Sequence, residues 1–149
     1  MKFDTSRFGT VEVGEDKLLN FEHGLPGFPD CTRFIVMDHD RETPLKWLQC
    51  VDRPEVAFLV VEPEQVLHSY ELEVPDLVLR HIGWEQGAEP SDVAVFVILN
   101  ISDQKLTANL RAPIVVNIAA RQAFQMILEN LDVSVTHPIG PTEDTPSSP

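Results

Sequence analysis

Proline is the residue that most limits what this chain can become. Twelve prolines in 149 residues exceed the average usage of about 5%. Eight of them fall between apolar runs, at Pro26, Pro29, Pro44, Pro54, Pro63, Pro75, Pro90 and Pro113. Each removes a backbone donor and clashes with the preceding turn of a helix. With breaks this frequent, long helices have no room, and the chain must be built mainly from short extended segments.

The stretches between the breaks fit that restriction. Residues 11–13 and 18–21 are short apolar pieces around a turn at Gly14-Glu15-Asp16. Residues 33–37 and 45–51 follow as strands, and residues 56–61 form a continuous apolar run closed by Glu62-Pro63. Such a run reads as a strand covered on both faces. Residues 69–74 alternate with period two, which predicts a half-buried strand with Glu71 and Glu73 on one side. Residues 92–100 give the strongest strand signal, and residues 107–110 and 114–118 read as two strands separated by Ala112-Pro113. A short helix is expected over residues 76–82, with Pro75 at its start and Gly83 at its end. Residues 119–131 mix helix formers with an alternating Phe124, Met126 and Leu128, and a strand over residues 122–128 is the preferred reading. The expected fold is all-β and mainly antiparallel, a small closed or pseudo β-barrel with one or two short helices. Residues 1–139 form its single domain, and the polar, proline-rich residues 140–149 are expected to be disordered.

The charge narrows the function. Twenty-four acidic residues against 11 basic ones give a net charge of −13. A surface of that sign repels phosphate backbones, which excludes direct nucleic-acid binding, and it favours encounter with a basic partner. No apolar run approaches the ~20 residues that span a bilayer, and no secretory signal precedes the first charges. Cytoplasm is the expected compartment, with Cys31 and Cys50 reduced and half-buried.

Reactive chemistry finds no footing. No Gly-x-Ser-x-Gly or phosphate-cradling loop is present, and neither cysteine has a diagnostic neighbour. The five histidines stand singly; Asp38-His39-Asp40 comes nearest to a metal cluster, but three consecutive residues rarely converge on one ion. No catalytic residue, metal or cofactor is expected. What remains is a scaffold with fixed turns. Gly24 and Gly27 flank Leu25-Pro26 where tight turns use backbone angles open to glycine, and Leu25 and Phe28 are expected to pack under that loop. Trp47 and Leu48 sit between Lys46 and Gln49, so one face of this strand packs outward or against a loop. Asn109 and Asn117 can orient the Ala112-Pro113 corner through side-chain hydrogen bonds.

Five stretches in order carry a further signal. They are Phe21-x-x-Gly24-Leu25-Pro26-Gly27-Phe28, Pro44-x-x-Trp47-Leu48-Gln49-Cys50-Val51-Asp52, Ala57-Phe58 with Glu62-Pro63, Tyr70, and Asn109-Leu110-x-Ala112-Pro113-Ile114-Val115-Val116-Asn117. Over residues 1–138 this pattern resembles the FliW family, the flagellar assembly factors of bacteria. It departs at Cys50, where the family often has Ser, and near Val133, where the family often has an aromatic residue.

The resemblance implies a small barrel that acts by binding two competing partners. One is flagellin, held in the cytoplasm before export. The other is CsrA, a basic RNA-binding dimer whose repression of flagellin mRNA is lifted when it is bound. The alternative is a dedicated flagellin export chaperone without a translational role. The free chain is expected to be monomeric. Expected partner contacts are Gly24, Leu25, Pro26, Gly27 and Phe28, then Trp47, Leu48 and Gln49, then Asn109, Leu110 and Pro113, with Glu71 and Glu73 as acidic contacts to CsrA.

Overall fold

The computed structural model describes residues 1–38, 43–67, 69–70, 72–84, 92–102, 104–128 and 134–139. Short apolar segments with alternating faces give β1 (Lys2–Thr5), β2 (Gly9–Glu12), β3 (Leu19–Phe21), β4 (Arg33–Asp38), β5 (Lys46–Cys50) and β6 (Ala57–Val61). After the one α-helix among the described residues, α1 (Asp76–His81), come β7 (Val93–Ser102), β8 (Lys105–Asn117), β9 (Gln122–Gln125) and β10 (His137–Pro138). Single 3-10 turns occupy Glu15–Lys17 and Pro63–Gln65.

Strands β3 to β9 pair in chain order, antiparallel throughout. A parallel pairing of β3 with β9, through Asn20↔Gln122 and Phe21↔Ala123, closes the ring. The result is a closed seven-stranded β-barrel, so none of these strands is left as a free edge of the sheet. Strand β10 adds to the outer half of β8. The hairpin β1–β2 lies outside, where Phe3, Val11 and Val13 cover Leu18, Ile35 and Val51.

Alternation along each strand decides what fills the barrel. Leu48 and Cys50 of β5 point inward with Phe21, Phe34, Val60, Ile114 and Val116. Phe21 and Phe34 meet edge to face with centroids 5.0 Å apart, a contact worth ~0.5–1.5 kcal/mol beyond its buried area. A second core forms around Val61, Val97, Leu99, Ala108 and Leu110, and a third joins Val78 of α1 and Ile82 just after it to Val115 and Met126. Helix α1 therefore lies against the outer wall at β8 and β9. It starts after Pro75, as expected, and ends at His81, one residue short of the expected bound, with Gly83 just beyond at φ +72°.

Four expectations need correction. The two strands expected over residues 107–110 and 114–118 are one: β8 (Lys105–Asn117) runs through Ala112-Pro113 without a break. Its register against β7 jumps from Ile98↔Asn109 to Phe96↔Ile114, so the extra residues bulge and Pro113 needs no ladder donor. Among residues 69–74, those described form no strand. Tyr70 covers the second core while Leu72 and Val74 cover the third, which produces alternation without a neighbouring strand. The strand expected over residues 122–128 ends at Gln125; beyond it, the Met126 and Leu128 amides donate to Pro113 and Arg111 carbonyls across the bulge. Cys31 and Cys50 are both fully buried free thiols inside the barrel, not half-buried. Burial pushes the Cys31 thiol up to about 12, with the neighbouring Cys50 adding to the effect. His39, Asp40 and residues 140–149 lie outside the described residues.

Candidate functional site

The loop between β3 and β4 is built by two nested turns. The Gly24 amide donates to the Phe21 carbonyl (2.9 Å). Leu25 and Phe28 then exchange amide–carbonyl bonds of 3.3 and 2.7 Å, leaving Pro26 and Gly27 at the tip. Proline followed by a glycine at φ +86° is the residue order of a type II turn. Gly24 is also left-handed, at φ +68°, and a Cβ there would lie 2.5 Å from the Phe28 carbonyl oxygen. Leu25 is buried beneath the loop, and the half-buried Phe28 packs edge to face on Phe58 at 5.5 Å. Core packing thus holds the loop and presents its tip, beside a cleft of about 330 Å³ that includes His23, Pro29, Phe124 and Gln125.

On β5 the side chains divide as a strand requires. Leu48 is buried in the barrel, whereas Trp47 is half-buried, with Phe8 edge-on at 5.9 Å and the Arg7 guanidinium 4.3 Å from its ring centre. Gln49 is fully buried. Its Nε2 donates to the carbonyls of Cys50, Pro54 and Val56 at 2.9, 3.3 and 3.1 Å, stitching β5 to the turn before β6. Next to it, the Asp52 carboxylate accepts from the Thr32 and Arg33 amides and from the Arg33 guanidinium at 2.7 Å. Burial alone would raise the Asp52 pKa, but the bonds and charge of Arg33 outweigh it and hold the group below its usual range.

The β8 bulge is the third element. Asn109 Oδ1 accepts the Arg111 amide at 3.1 Å, so this asparagine does orient the corner. Asn117 does not: its Nδ2 donates to the Ile82 carbonyl at 2.9 Å and its Oδ1 accepts the Ala120 amide, pinning the end of α1 to the barrel. The Tyr70 hydroxyl donates to the Leu110 carbonyl at 2.9 Å, and Gln125 Nε2 donates to Ala112 at 3.0 Å. Burial, then the nearby Glu64, pushes the Tyr70 phenol up to about 12.

Of the residues expected to meet partners, Pro26, Gly27 and Glu73 are exposed, and Gly24, Phe28, Trp47 and Asn109 are half-buried. Leu25, Leu48, Gln49, Leu110 and Pro113 are buried, and Glu71 lies outside the described residues. The exposed apolar side chains are ones the sequence did not single out: Ile101 is 74% exposed, and Leu77 and Ile127 are 63% exposed. Ile101 stands out because β7, at 10 residues, projects past the 5-residue β6. That difference in run length was visible in the sequence.

A closed barrel with anchored turns and a strongly acidic composition defines the class: a small all-β scaffold with exposed loops and strand ends. The FliW protein family model matches residues 2–139, and the chain belongs to the FliW family. It is 38% identical to the flagellar assembly factor FliW of Shouchella clausii over 93% of this chain and 94% of that one. The FliW of Thermoanaerobacter pseudethanolicus is 34% identical, with 93% of each chain covered. A crystal structure of the flagellar assembly factor FliW superposes with a TM-score of 0.84 at 34% identity, covering 97% of this chain and 100% of the other. Among the described residues no helix is long and apolar enough to cross a membrane.

Proposed function

We propose that this protein serves flagellar assembly in the cytoplasm by binding two proteins in competition, the translational repressor CsrA and flagellin. Capture of CsrA lifts repression of flagellin mRNA, and flagellin occupies the protein until it is exported. The observation that carries this reading is a net charge of −13 on a rigid barrel. A basic RNA-binding dimer is drawn to such a surface, and the same negative field disfavours RNA near the complex. The exposed Pro26-Gly27 tip, the Trp47 flank and Glu73 are the proposed contacts, joined by the apolar Ile101. The buried Leu25, Leu48, Gln49, Leu110 and Pro113 hold that surface in shape.

The test is a titration of the purified protein with CsrA and flagellin of the same organism, each competing against the other. Mutually exclusive binding is expected, with CsrA association slowing as salt shortens the screening length from ~10 Å at 0.1 M. Binding of flagellin alone would replace this reading with that of an export chaperone. A CsrA on-rate indifferent to salt would remove the electrostatic part.

A further inference from the structure

The fold brings His81 to a pair of side chains, Glu22 and His23, from which the sequence keeps it far apart. Glu22 and His23 occupy the turn that ends β3, and His81 is the last residue of α1. One ligand atom from each lies within 4.8 Å of the others. The two imidazoles meet edge to face with ring centres 5.7 Å apart. Two imidazoles on one tetrahedral zinc ion, with Zn–N of ~2.0–2.1 Å, place their ring centres about 5 Å apart. Small side-chain rotations therefore close the arrangement.

We propose that Glu22, His23 and His81 bind a divalent transition-metal ion of the zinc class, with a fourth position left for water. Both halves of the site are held in place before any ion arrives. The His81 ring lies parallel to Phe124 at 5.2 Å, and the Gly24 amide closes the turn that carries Glu22 and His23. The open side faces a cleft of about 330 Å³ lined by Glu22, Leu77, Arg80, His81 and Gln122. Two imidazoles and one carboxylate suit zinc, cobalt, nickel or copper and disfavour magnesium and calcium, which take oxygen ligands. Arg80 is a fixed cation lining the same cleft, and its charge opposes a second cation, so the site is one of moderate affinity. An ion there would clip the β3–β4 loop to the end of α1, and its binding would add to the stability of the folded chain.

The test is a calorimetric titration of the full chain with Zn²⁺, alongside melting curves with Zn²⁺ or Mg²⁺ and an absorption spectrum with Co²⁺. One Zn²⁺ per chain is expected, with a raised Tm that Mg²⁺ at the same concentration does not give. The Co²⁺ spectrum should show nitrogen–oxygen ligation without thiolate charge transfer, since Cys31 and Cys50 are buried. His23→Ala lies in an exposed turn and should keep the circular dichroism of the parent. It should weaken Zn²⁺ at least as much as the ~10-fold that an outer-shell partner is worth, and His81→Gln should do the same. Unchanged Zn²⁺ binding in His23→Ala, thiolate bands with Co²⁺, or uptake of several ions without a 1:1 step would overturn the site and leave only loose attraction to the acidic surface.

Discussion

Two prolines at corners of the same barrel do opposite work. Pro26 is exposed at the tip of a turn whose four residues close on themselves through the Leu25–Phe28 bonds. Pro113 is buried in the middle of a 13-residue strand, at a bulge whose carbonyls are claimed by distant groups: Tyr70 on Leu110, Gln125 on Ala112, Met126 on Pro113. The first corner is made by its own residues. The second exists only because two other segments, at Tyr70 and at Gln125-Met126, arrive to satisfy it. A locally built corner can spare its tip for contact with another molecule, whereas a corner assembled from afar is committed to the core.

That contrast can be broken or sharpened by substitution, with folding stability measured by urea denaturation. Gly24→Ala should cost the most, about 3 kcal/mol or more, because a Cβ 2.5 Å from the Phe28 oxygen adds a clash to the left-handed backbone. Gly27→Ala, with nothing within 4 Å of its Cβ, should cost only about 1 kcal/mol. Equal costs would mean that anchor and tip are not separate. Pro113→Ala should follow, at about 2 kcal/mol, since it empties buried volume and adds an amide donor inside the bulge. Tyr70→Phe should cost about 1 kcal/mol by leaving the Leu110 carbonyl without its hydroxyl donor. Pro26→Ala should cost under about 1 kcal/mol, through the unfolded chain alone.

The smallest effect concerns acid. Asp52 ties the exit of the β3–β4 loop through Thr32 and Arg33, and its folded pKa is lowered. Its contribution is therefore complete above the unfolded value near 3.9 and lost as pH falls through the lower folded value. Asp52→Asn should be less stable than the parent at pH 7, and the gap should shrink on acidification. Arg33 is 46% exposed, so solvent screening keeps the gap small. A gap that persisted at low pH would assign the bond's value to packing.

The same contrast explains what could be read from the residues alone. The Gly24–Phe28 turn was legible because Pro-Gly fixes backbone angles within four residues. The strands were legible wherever one stretch alternates or stays apolar, and α1 was marked by Pro75 and Gly83. The continuity of β8 was not, because Pro113 argues locally for a break and only β7, β9 and Tyr70 overrule it. Tyr70, Leu72 and Val74 misled for a related reason: alternation reports one covered face, and here that face is divided between two separate cores. The burial of Gln49 depends on the Pro54 and Val56 carbonyls outside β5, and the meeting of His23 with His81 depends on where α1 docks. Neither leaves a spacing to find.

The parallel pairing of β3 with β9 has a consequence for synthesis. Asn20 meets Gln122, so the last partner of β3 leaves the ribosome about a hundred residues after β3 itself. At ~5–20 residues per second, the growing chain carries one unpaired strand edge for ~5–20 s, and no shorter nascent chain can close the ring. A ribosome stalled before codon 122 would hold an open sheet able to pair with other extended chains. Protection from such pairing arrives in one late step, when β9 slots between β3 and β8.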